Sequence, residues 1–191
     1  METFQERLRR VVQETVSIVP YDPVWPEKFE YEKQHLLSCL PDKLITRIEH
    51  FGSTAVPNLW AKPIIDMLVE VTSLEKTKSE IVPVLQAQNY DYFWRPSWGD
   101  DIPPYYAWFI KRDSGGNRTH HIHMVEKDFE HWDRLLFRDY LREHPETAMV
   151  YQSLKINIAE RNASDRIAYT NSKAGFISEI TKRAKEEYYS R

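Results

Sequence analysis

Apolar positions recur along the chain at two spacings, and the switch between them predicts the elements. After Pro26, Phe29, Leu36, Leu37 and Leu40 fall at roughly helical spacing, so a helix is expected to start near Pro26 and end near Pro41. Residues 44–51 and 64–71 read as strands, and Leu74 to Gln88 as a helix that covers them. "YYAWFIKRD" and "RTHHIHMVE" are two further strand-like runs. The "SGGN" between them suits a tight or bulged hairpin turn, which makes them antiparallel neighbours. From Asp128 the period lengthens: Phe129, Trp132, Leu135, Leu136 and Tyr140 mark one helical face, which must stop close to His144 and Pro145. Ala148, Tyr151, Leu154 and Ile158 form a second stripe, and Ala174, Phe176, Ile177, Ile180 and Ala184 a third. Strands followed by helices predict an α+β fold, a small mixed β-sheet flanked by helices with a helical C-terminal part.

Composition narrows this picture. The 191 residues are 41% hydrophobic, enough for a sizeable core, and no long Gly/Ser linker or repeat divides them, so a single domain over residues 1–191 is expected. With 26 basic against 29 acidic residues the net charge is −3, which gives no overall field for wrapping nucleic acid or an anionic membrane. Cys39 is the sole cysteine, so an internal disulfide and a cysteine-based zinc cluster are excluded. The opening "METFQERLRRVVQETVSIVP" lacks the apolar core of a signal peptide, and no run approaches ~20 apolar residues. A soluble cytoplasmic protein is expected. Without a long coiled-coil seam the expected state is a monomer, or a homodimer through an exposed helical face.

Chemistry enters at "IEHFGSTAVPNLWAKPIIDMLVEV", residues 48–71. Gly52 lets the backbone turn closely, and Ser53 or Thr54 can cap a short following helix whose N–H groups face a phosphate. Strand alternation puts Ile64, Asp66, Leu68 and Glu70 on one face, which leaves Asp66 as a carboxylate in an apolar run. Such a group calls for a cation, a hydrogen bond or an opening to solvent; an ion pair with Lys62 or Arg118 is the purely structural alternative. In the hairpin, Thr119, His121, His123 and Val125 share a face opposite His120, Ile122 and Met124. Two imidazoles at that spacing suit one metal or one phosphate, with Asp66 as an oxygen ligand. Trp94, Trp98, Trp108, Tyr105 and Tyr106 suggest either core packing or an aromatic wall for a base, and Arg95, Asp100 and Asp101 a loop at its rim. Tyr169 and Lys173 sit four apart, as one helical face or a surface pair.

The segments "VPYDPVWPEKFE", "IEHFGSTAVPNLWAKPIIDMLVEV", "RTHHIHMVE" and "LLFRDYLREHP" together resemble the GrpB family, in order and through most of the chain. The resemblance implies a nucleotidyltransferase-like fold, with Gly52 and Ser53 at the phosphate-side turn and Asp66 at a metal-binding position. It also implies a link to dephospho-CoA kinase, to which the family's domain is attached in some proteins. Kinase activity is not implied, because this chain has no Gly-x-x-x-x-Gly-Lys-Ser/Thr loop.

One departure bears on mechanism. The nucleotidyltransferase pattern has a second carboxylate two residues after the first, where this chain has Leu68. Glu70 is four residues from Asp66, about 13 Å along a strand, whereas paired catalytic ions sit only ~3.5–4 Å apart. The departure weakens a two-metal site, so either an Asp/His metal arrangement is used or a nucleotide is bound without the standard transfer chemistry. The leading expectation is a nucleotidyltransferase-like protein that binds a phosphate-bearing nucleotide or related metabolite, with metal-dependent nucleotidyl transfer as its activity. Asp66, His121 and His123 form the catalytic and metal-binding set for a divalent ion (Mg²⁺, Mn²⁺ or Zn²⁺), and Gly52, Ser53, Thr54, Lys62 and Arg118 form the phosphate-binding set. The alternative is a non-catalytic nucleotide- or CoA-precursor-binding module that supports another enzyme. A histidine nucleophile ranks last, because Val125 replaces the third histidine of a histidine-triad strand.

Overall fold

The computed structural model describes residues 15–97 and 102–189; the opening segment through residue 14, and Trp98, Asp100 and Asp101, lie outside the described residues. The alternating runs form β1 (Ile45–Phe51), β2 (Ile65–Val71), β4 (Tyr105–Arg112) and β5 (Arg118–Val125), and a further strand, β3 (Asp91–Pro96), joins them. The sheet order is β1-β2-β5-β4-β3. β2 pairs with β5 in parallel, while β1 with β2, β4 with β5 and β3 with β4 are antiparallel, so the expected α+β fold with a mixed sheet is the observed one. β3 is a strand that the pattern does not predict: its aromatic run ends in Pro96 at the sheet edge, where a residue without an N–H is tolerated.

By their contacts the described residues separate into a sheet unit, Pro23–Ala55 with Ile64–Trp132, and a helical unit of residues 15–22, Val56–Pro63 and 133–189. In the sheet unit, α1 (Trp25–Cys39) carries Pro26 in its first turn and ends at extended Leu40, just before Pro41. The expected helix from Leu74 to Gln88 is broken into α2 (Leu74–Lys76), a π-helical turn (Thr77–Ile81) and α3 (Val82–Ala87). Pro83 explains the break, since it supplies no N–H to the preceding turn and the hydrogen bonding upstream shifts to the wider spacing.

One buried charge ties α1 to the sheet. The Glu32 side chain is fully buried; one oxygen accepts from Tyr90 Oη at 2.5 Å and the other from Lys111 Nζ. Burial first, then the hydrogen bond and charge of Glu32, drive the Tyr90 phenol far above its ordinary range. His120 lies near the same group, and burial lowers its pKa against the opposing pull of Glu32.

The helical unit contains α4 (Asp133–Glu143), α5 (Pro145–Arg161), α6 (Arg166–Asn171) and α7 (Ala174–Tyr189). Val56, Leu59, Phe137, Tyr140, Leu141, Ala148, Tyr151, Ile180 and Ala184 form its main core. The expected stripes supply Tyr140, Ala148, Tyr151, Ile180 and Ala184, whereas Ile158 packs in a second cluster with Val16, Ala159 and Tyr169, and Ala174 is exposed. The start of the first stripe differs: Glu130–Trp132 is a 3₁₀ turn ahead of α4. Asp165 caps α6 by accepting from the Ala168 N–H at 2.9 Å. Residues 56–63 are pinned to α5 at Trp60, whose N–H donates to Gln152 Oε1 at 2.9 Å and whose carbonyl accepts from Lys155 Nζ. Lys155 is almost wholly buried; burial, then the charge of Lys173, lower its pKa to about 7.

Two stability measurements follow from these groups. Lys111→Met leaves the Glu32 carboxylate buried with one partner fewer, and urea unfolding is expected to show a loss near the lower end of ~3–5 kcal/mol. Replacing both groups, Glu32→Met with Lys111→Met, is expected to recover most of it, and equal loss in single and double variants would contradict this account. For Lys155 the unfolded chain binds more protons between the folded pKa of about 7 and the unfolded value of 10.5, so this group makes stability rise with pH across that window. Lys155→Met is expected to flatten the rise between about pH 7 and pH 9; parallel profiles would contradict the sign.

Candidate metal centre

The centre grows out of the register between two strands distant in sequence. Parallel pairing of β2 with β5 sets Asp66 beside His121 and Leu68 beside His123. Asp66 Oδ1 lies 3.1 Å from His121 Nδ1, and one ligand atom from each of Asp66, His121 and His123 lies within 4.8 Å of the others. Two ligands at ~2.0–2.1 Å from one ion with a tetrahedral angle between them are about 3.4 Å apart. Asp66 and His121 are already within that separation, and closing the 4.8 Å limit to it takes a side-chain shift of about 1.4 Å. One carboxylate with two imidazoles suits Zn²⁺ or Mn²⁺ better than Mg²⁺, which prefers oxygen.

The surroundings set the protons. Both imidazoles are buried, whereas the Asp66 side chain is 28% exposed and so gives the centre an opening to solvent. Arg118 Nη1 lies 3.4 Å from His121 Nε2. Arginine only donates, so Nε2 accepts and Nδ1–H donates to the Asp66 carboxylate; a metal at Nδ1 would shift that proton to Nε2 and displace the Arg118 donor from it.

The Gly52 turn abuts the same carboxylate. β1 ends at Phe51, paired with Asp66, and Gly52 follows with φ +74°. A Cβ on Gly52 would overlap Asp66 Oδ2 and lie 3.0 Å from Asp66 Cβ, so both conformation and space call for glycine. Ser53–Ala55 then forms a single 3₁₀ turn, with the Ala55 N–H donating to the Gly52 carbonyl at 3.2 Å.

The remaining expected phosphate contacts are dispersed. Thr54 is buried, and its hydroxyl donates to the Ile64 carbonyl at 3.3 Å and accepts from His50 Nε2 at 3.0 Å, which fastens it to the scaffold. Lys62 belongs to the helical unit, where its Nζ lies 5.3 Å from the Tyr169 ring centroid; Lys173 Nζ is 4.2 Å from the same ring.

Aromatic groups surround the imidazoles. Tyr106 stacks on His123 at 5.4 Å between centroids, Phe51 meets it edge-on at 5.3 Å, and Trp108 lies 5.2 Å from His121. The single aromatic wall is split by strand alternation: Tyr106 and Trp108 share the face of the histidines, while Trp94 stacks with Tyr105 on the other, under Lys78. His131 completes the group, 3% exposed and 4.6 Å from the Tyr106 ring. The helical spacing of its neighbours Phe129 and Trp132 gives no sign of His131, which the 3₁₀ turn places in this cluster.

The family model described as GrpB protein matches residues 15–183. The UPF0157 protein YqkA of Bacillus subtilis is 38% identical over 171 residues, which cover 89% of this chain and 47% of that protein, so the chain spans about half the length of this relative. The crystal structure of conserved protein GrpB from Enterococcus faecalis superposes with a TM-score of 0.76 at 35% identity, covering 91% of this chain and 99% of that one. A dephospho-CoA kinase of Mycolicibacterium paratuberculosis is 25% identical over 201 residues, covering 92% of this chain and 47% of the kinase. Among the described residues, no helix is long and apolar enough to cross a membrane.

Gly52→Ala tests the packing of the turn on Asp66. The left-handed backbone alone costs about 1–2 kcal/mol in a non-glycine residue, and the overlap adds to it. We expect lowered thermal stability and at least tenfold weaker Mn²⁺ or Zn²⁺ binding by calorimetry; wild-type values for both would contradict the contact.

Proposed function

The chain belongs to the GrpB family, and we propose that its sheet unit is a nucleotidyltransferase-like centre that binds a phosphate-bearing nucleotide or related metabolite with a divalent metal ion. The observation that carries this reading is the convergence of Asp66, His121 and His123 beside a turn whose glycine is sterically required. Asp66 and the two histidines hold the ion, which when bound polarises a phosphoryl oxygen and offsets its charge. The Gly52–Ser53 turn presents the backbone to that phosphoryl group, and Arg118, beside His121, adds positive charge at the edge of the centre. Lys62 is not drawn on. The similarity to dephospho-CoA kinases supports a ligand of nucleotide or CoA-precursor type.

A second reading, a binding module without turnover, is favoured by Leu68. It occupies the expected second-carboxylate position and is fully buried, so a second ion has no carboxylate there. Turnover and binding are therefore separate questions.

Calorimetry of the full chain with Mn²⁺, and then with a nucleotide and CoA-precursor panel, tests the proposal. Asp66→Asn and His123→Ala are each expected to weaken metal binding about tenfold to a hundredfold and to abolish the metal-dependent part of ligand binding. Metal binding unchanged in both variants would overturn the centre. Ligand binding without product formation would select the second reading.

A further inference from the structure

Trp108 is 6% exposed, and its indole Nε1–H has no hydrogen-bond acceptor among the described residues. A buried donor left without an acceptor is costly, and such a group beside a candidate site points to a ligand that supplies one. The indole is on β4 at the register position of His123, with its centroid 6.1 Å from that ring and 5.2 Å from His121. Over the indole lies the exposed Arg95, its guanidinium carbon 4.7 Å from the ring centroid. A guanidinium stacked on an aromatic face keeps its N–H edge available for oxyanions, and its fork matches phosphoryl oxygens.

The strand order separates this pair from the glycine turn. The turn follows β1 beside Asp66 of β2, whereas Trp108 and Arg95 stand on β4 and β3, beyond the histidines of β5. β2 and β4 are two strand spacings apart, about 10 Å, so a single phosphoryl group at the turn does not also reach the far pair. We propose that Trp108 and Arg95 form a second phosphoryl-binding arm of the centre, and that its ligand carries a diphosphate or longer phosphate chain. This inference rests on the metal-centre reading.

The test uses the full chain saturated with Mn²⁺, with pyrophosphate and orthophosphate as calorimetric probes and W108F and R95Q as variants. W108F keeps an aromatic ring and loses only the donor. Wild type is expected to bind pyrophosphate more tightly than orthophosphate. W108F should weaken pyrophosphate binding about tenfold, R95Q at least as much, with Mn²⁺ and orthophosphate affinities within about twofold of wild type. Pyrophosphate binding unchanged in both variants, or absent from wild type, overturns the arm. If wild type binds no Mn²⁺, the metal-centre reading fails on its own; metal-free pyrophosphate binding weakened by W108F then still supports the arm, and unweakened binding overturns it.

Discussion

The parallel pairing of β2 with β5 is the constraint on which the rest depends. These strands are separated by more than 40 residues of chain, and their register alone puts Asp66 against His121 and leaves His123 one step further on the same face. A slip of one residue would exchange the histidine pair for His120, Ile122 and Met124 and carry His121 and His123 to the α1 side. Core residues enforce the register. Ile65, Met67, Leu68, Val69, Ile122, Met124 and Val125 are all essentially excluded from solvent, so a slipped strand would expose several large apolar side chains at once.

The sheet's two faces therefore do different work. On one, Tyr90 and Lys111 hold Glu32 of α1, and His120 bonds the Lys28 carbonyl of the same helix, so the acidic group is held by two donors. On the other, a partly open carboxylate, two imidazoles, a left-handed glycine turn and an indole donor are gathered. Buried polar groups engaged on every side rigidify a fold. Polar groups ranged around an opening can take a ligand.

Much of this was legible in the sequence, for identifiable reasons. Alternation in residues 64–71 and 118–125 gave both strands and the shared face of His121 and His123, and proline and glycine marked the ends of α1 and the hairpin turn. What escaped depends on non-local pairing. β3 lies at an edge and was hidden by its aromatic, proline-terminated composition; without it, neither the division of the aromatic residues between two faces nor the stacking of Arg95 on Trp108 could be foreseen. Thr54 had the right chemistry for an anion, but its hydroxyl is held between His50 and the Ile64 carbonyl, contacts that sequence spacing cannot announce. His131 was obscured because a 3₁₀ turn and the first turn of a helix carry the same local pattern.

The central claim is that two imidazoles and one carboxylate hold a single ion, and X-ray absorption at the zinc edge on the Zn²⁺-loaded full chain tests it most directly. The account predicts one ion per chain with two imidazole nitrogens and at least one carboxylate oxygen at about 2.0–2.2 Å, and loss of that signature in Asp66→Asn. Substoichiometric zinc, or a first coordination sphere without imidazole, would contradict it.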